Sequence, residues 1–125
     1  MPVLRIRALP QKDSTKITPA LKKVAKVISD VYGCPERNVW ATWEEIKPGF
    51  YVEGQNEAFE QKMETHAPIC ELTCFEGKSP KELEELLEKA ASSLGESLGI
   101  GSNVFITLNQ VKSGQVIAGN GVIRH

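Results

Sequence analysis

Apolar residues recur along the chain with two different periods, and the periods change in the same order twice. In PVLRIRA, Leu4, Ile6 and Ala8 fall on one side and Val3, Arg5 and Arg7 on the other, the alternation of a strand with one packed face. The polar stretch PQKDSTKI breaks that pattern. Thr18 then offers an N-cap with Pro19 at the first helical position, and Ala20, Leu21, Val24, Ala25, Val27, Ile28 and Val31 form an apolar stripe at helical spacing as far as Gly33. NVWATWEEI, rich in β-branched and aromatic residues, predicts a second strand; KPG punctuates it and FYVEG reads as a short extended arm. Residues 55–67, QNEAFEQKMETHA, are polar without a clear period and read as a connector with at most a helical turn.

From Pro68 the order starts again. PICELTCF alternates Cys70, Leu72 and Cys74 against Glu71, Thr73 and Phe75, a third strand. Ser79, Pro80 and Glu82 make an S-x-x-E capping box with proline at the first helical position. Leu83, Leu86, Leu87, Ala90, Ala91, Leu94 and Leu98 form the buried stripe of the helix that follows, its glutamates the solvated face, and Gly99 and Gly101 end it. VFITLNQV predicts a fourth strand and KSGQVIAGNG a second arm. A shift of 65 residues lays NVWATWEEIKPGFYVEG on NVFITLNQVKSGQVIAG, pairing Asn38 with Asn103, Thr42 with Thr107, Lys47 with Lys112, Gly49 with Gly114 and Gly54 with Gly119.

The chain therefore predicts one domain, 1–125, made of two β-α-β units (about 2–54 and 68–119) joined by 55–67. Right-handed crossovers make each unit's strands parallel. Two such units give an α/β (α+β) architecture, a four-stranded mixed sheet with both helices on one face. Trp40, Phe75 and Phe105 point away from the core positions, so the other face needs cover. Oligomerisation supplies it, with the arms adding edge strands to neighbouring subunits.

Composition narrows the classes without choosing among them. Hydrophobic residues make up 41% and charged residues 25%, as in soluble globular domains. A formal charge of -1 without a basic run argues against nucleic acid. No apolar run predicts a membrane span and no signal-peptide layout is present, so a cytoplasmic location is expected by default. Cys70 and Cys74 lie on one strand face about 13 Å apart, too far to bridge, and read as small core residues. Cys34 stands alone in a loop, and the odd count fits a reducing compartment. His66 and His125 lack partners at ligand spacing, so no metal site is expected.

Chemistry enters at Pro2. Loss of Met1, which the small following residue permits, would leave a secondary amine at the end of a strand. An α-amine has an ordinary pKa of about 7.7–8.0. A prolyl amine is intrinsically more basic, and partial burial or a nearby cation would lower it toward neutrality, where a proton-transfer group works best. The competing reading is an ordinary proline without chemistry.

Pro2 leading a strand, tandem β-α-β units, and a glycine-containing turn with a short arm after each unit together resemble the tautomerase superfamily over nearly the whole chain. The resemblance is to members that carry both units in one chain, which implies a homotrimer. It also implies Pro2 as the catalytic base acting without a cofactor on a small carboxylate-containing 2-oxo or enol acid. Pro68, internal to the chain, has no free amine. FEGKS (75–79) resembles the family's strand-to-helix turn, placing Lys78 as the cation that holds a carboxylate and Glu76 as a candidate water-activating group. Trp40, with Phe105 as its repeat-mate, stands where one-unit members carry a substrate-binding arginine. Phe50 and Tyr51 fit the family's apolar wall over the proline. A non-catalytic trimeric binding module, and decarboxylase or hydratase chemistry on the same scaffold, remain alternatives.

Overall fold

The computed structural model describes residues Met1–His125. Strands β1 (Val3–Ala8), β2 (Trp40–Glu45), β5 (Ile69–Phe75) and β6 (Phe105–Val111) form a sheet in the order β2-β1-β5-β6. β1 is parallel to β2 and β5 to β6, while β1 and β5 run antiparallel in the centre. This is the mixed four-stranded sheet of two β-α-β units. Helices α1 (Ile17–Tyr32) and α2 (Pro80–Leu98) pack on each other and on one face.

The alternation in β1 and β5 sets which face is covered. Leu4, Ile6, Ala8, Cys70 and Leu72 are buried against Val24 and Ile28 of α1 and Leu86, Ala90 and Leu94 of α2. Cys70, Cys74 and Cys34 are free thiols, the first two buried. The capping box is complete: the Glu82 N–H donates to Ser79 Oγ (3.2 Å) and the Ser79 N–H to Glu82 Oε1 (3.0 Å). Gly33 and Gly99 end the helices in the left-handed conformation. α1 begins earlier than the Thr18 cap predicts. A 3-10 turn, Ser14–Lys16, runs into it, capped by the Asp13 carboxylate, which accepts the Thr15 N–H at 3.0 Å. Pro19 then sits in the first turn, where its missing N–H has no helical partner to lose.

Each arm is a hairpin. β3 (Val52–Glu53) pairs with β4 (Asn56–Glu57), and β7 (Val116–Ala118) with β8 (Val122–Arg124). Asn56 and Glu57 carry no readable alternation, because two residues are too few to show a period. The following segment contains no helix and is fastened by His66, which is 3% exposed. The His66 Nε2–H donates to the Asn56 carbonyl (2.8 Å), Nδ1 faces the Thr65 hydroxyl (3.0 Å), and the ring stands edge-on to Tyr51. His66 is the one non-glycine residue at positive φ, 48°, a local strain held in place by these contacts.

The two units repeat the same backbone bonds at their strand starts and hairpin turns. The Trp40 N–H donates to the Pro2 carbonyl and the Phe105 N–H to the Pro68 carbonyl, both at 3.1 Å. The Gly49 N–H reaches the Ala58 carbonyl (3.1 Å) as the Gly114 N–H reaches that of Arg124 (2.9 Å). An approximate two-fold axis between β1 and β5 therefore places the β7–β8 hairpin at the Pro2 end of the sheet and the β3–β4 hairpin at the Pro68 end.

Candidate active site

Pro2 is fully buried at the start of β1, and Met1 before it is half-buried. Burial lowers the pKa of the Met1 amine below the ordinary α-amino value, with the thiols of Cys34 and Cys74 opposing the shift. Burial pushes the Cys74 thiol up, against the pull of the N-terminal amine and Lys78. Amine, thiols and lysine thus share one neighbourhood where β1, the end of α1 and the β5–α2 turn meet.

Beside it lies a cavity of about 540 Å³. Its walls come from the chain start (Met1, Val3), the turn before β2 (Arg37, Asn38), Trp40, Phe75, and the β7–β8 hairpin with Val116–Gly119, Arg124 and His125. Seven of the twelve lining residues are hydrophobic, and Arg37 and Arg124 are present without an acidic side chain among them. Such a cavity favours a small anion with an apolar body.

The sequence-derived candidates divide between the two ends of the sheet. At one end Trp40 and Phe75 line the cavity, and Pro2, buried between the lining residues Met1 and Val3, adjoins it without lining it. Phe105 lies at the other, bonded through its backbone to Pro68. Tyr51 is also there, its hydroxyl donating to the Ala67 carbonyl at 2.7 Å, with Phe50 beside it, 76% exposed and under the Lys47 ammonium. Lys78 is at the Pro2 end, but its ammonium is engaged. It donates to the Tyr32 carbonyl at 2.9 Å and lies 4.9 Å from the centre of the Tyr32 ring. Glu76 is exposed on the β5–α2 turn, outside the cavity lining.

Arg37, Asn38, Arg124 and His125 were missed in the sequence because they belong to no motif and only the fold gathers them. The repeat is the signal that could have found one of them, since Asn38 has a mate in Asn103; Arg124 is matched to Ala58 only by the backbone bonds of the two hairpins.

Against known structures the whole chain superposes. A fused 4-OT solved as a symmetric trimer matches with a TM-score of 0.83 at 16% identity, over 97% of this chain and 94% of that one. The chain has the tautomerase fold. A member of the cis-3-chloroacrylic acid dehalogenase family matches at 0.82 and 12% identity, over 98% and 83%. Malonate semialdehyde decarboxylase matches at 0.76 and 15%, over 96% and 92%. No protein-family model and no curated protein matches the sequence. Within this fold the cavity sits at the start of β1, beside Met1 and Val3, and not at the start of β5.

Proposed function

We propose that the protein is a cofactor-independent, tautomerase-like isomerase acting on a small 2-oxo or enol acid, with Pro2 as its base once Met1 is removed. The observation that carries this reading is the juxtaposition of the Pro2 strand start with a cavity lined by two arginines and no acidic side chain. The burial that lowers the Met1 amine would act in the same direction on a Pro2 amine one residue further in, favouring its unprotonated form. That amine takes the proton of an enol hydroxyl and delivers it to the carbon at the far end of the double bond. A ketone results, and no bond other than those to hydrogen and the shifted π bond changes. Arg37 and Arg124 hold the carboxylate, with Trp40 and Phe75 as the apolar wall.

The uncovered sheet face and both hairpins carry exposed apolar residues: Trp40, Phe105, Val52 and Ile117 are each more than half exposed. A homotrimer would cover them, in keeping with the trimeric fused 4-OT of the same fold. The partner chains would then bring their Phe50 and Tyr51 toward neighbouring sites.

Two measurements test the reading. Intact mass is expected to show loss of Met1. Pro2→Ala is expected to lower the ketonisation rate of phenylpyruvate enol or 2-hydroxymuconate by about 10²–10⁴-fold, the usual contribution of a positioned base. Undiminished activity in Pro2→Ala removes Pro2 from the mechanism.

A further inference from the structure

The two ends of the sheet are built alike but filled differently. At the Pro68 end the chain itself occupies the space in front of the strand start. Asn103 donates through Nδ2 to two backbone carbonyls of the connector, Lys62 at 3.2 Å and Thr65 at 2.8 Å. Both partners are carbonyl oxygens, which accept only, so the amide's NH₂ side faces them and each of its hydrogens has a partner. At the Pro2 end the repeat-mate Asn38 occupies the corresponding place, before Trp40 as Asn103 precedes Phe105. There it lines the open cavity, exposed and with its side chain unbonded. Other matched pairs show that the correspondence is spatial. Tyr51, which bonds to Ala67, has Val116 as its mate, and Val116 lines the cavity beside Met1. The Phe59 ring packs 3.5 Å from where a Cβ on Gly49 would lie, as the His125 ring does 3.4 Å from the same point on Gly114. The connector thus displays, within the same molecule, which acceptors this pocket shape satisfies.

We propose that Asn38 is a substrate-binding residue whose side-chain amide donates to two neighbouring oxygens of the acid in the Pro2 cavity, in the place that the Lys62 and Thr65 carbonyls take on Asn103. The inference rests on the reading of this cavity as a substrate site. It narrows the ligand class to acids with two acceptor oxygens within one amide's reach, as the keto and carboxylate oxygens of a 2-oxo acid are. Arg37 and Arg124 supply charge there, and Asn38 supplies direction.

The test measures kcat/KM together with calorimetric binding of phenylpyruvate to the Pro2→Ala protein, in which binding is separated from turnover. Asn38→Ala is expected to weaken both by about tenfold, and Asn38→Asp, which replaces a donor by a like charge, by about a hundredfold. Neither should move the melting temperature, since Asn38 is exposed and unbonded. Asn103→Ala is the mirror control, expected to lower the melting temperature and leave kcat/KM unchanged. If Pro2→Ala retains full activity, the proposed base is wrong while the binding ratio still judges Asn38. Absence of phenylpyruvate binding, or a ratio for Asn38→Ala within about twofold of unity, overturns the inference.

Discussion

Cys70 is buried in the centre of the sheet, and burial pushes its thiol up to about 12 from an ordinary 9.0. Between those two values the unfolded chain releases a proton that the folded chain keeps. Stability contributed by the protonated thiol is therefore intact below pH 9.0 and is lost as pH rises toward about 12. The expected slope is up to about 1.4 kcal/mol per pH unit. Urea midpoints measured from about pH 8 to about pH 10.5 should fall more steeply for the natural chain than for Cys70→Ala, so that the gap between the two narrows with pH. Parallel curves would sink the assignment. The thiol's burial was legible from alternation alone, whereas residues such as Arg37 and Arg124 were not. Periodicity reports which side of an element a residue faces; it says nothing of which distant loops the fold brings together around it.

At the scale of elements, the strands, the helices and the duplication follow from periods and caps, and the joints between elements do not. Gly95 shows why. It sits inside α2, where glycine ordinarily weakens a helix, and a Cβ there would fall 1.7 Å from the Gly101 carbonyl oxygen of the returning chain. Gly95→Ala should therefore cost roughly 1–3 kcal/mol despite its better helix propensity, read as a lower urea midpoint. A stabilised variant would mean that the 99–101 turn yields freely. Lys78 is the second joint. Tyr32 is the last residue of α1, its carbonyl has no partner within the helix, and Lys78 reaches across from the β5–α2 turn to bond it. This favours a positioning role, holding α1 against the turn beside the N-terminal amine. Lys78→Met is expected to lose about 1–2 kcal/mol of stability and leave KM unchanged. A raised KM with an unchanged melting temperature would return Lys78 to the substrate's carboxylate.

Over the whole molecule, the exposed sheet face is the surface that the proposed trimer would cover. Its middle row runs Thr42, Arg5, Glu71 and Thr107 across the four strands, with Arg5 Nη1 and Glu71 Oε2 4.0 Å apart. In an isolated chain this pair is largely solvated, with side chains 62% and 44% exposed, and contributes little to stability. Trp40 and Phe105 stand on the same face at its two edges, 56% and 54% exposed, a surface ordinarily covered by a partner. In the proposed trimer the charged row is enclosed, and removing one sign from it leaves carboxylates from neighbouring copies facing each other without compensation. Arg5→Glu is thus expected to keep the fold, since Arg5 contributes nothing to the helix-side core, and to shift the sedimenting species from three times 13.8 kDa toward 13.8 kDa. Far-ultraviolet circular dichroism separates dissociation from unfolding. A trimer that survives Arg5→Glu unchanged would place the subunit contacts elsewhere, on the hairpins alone.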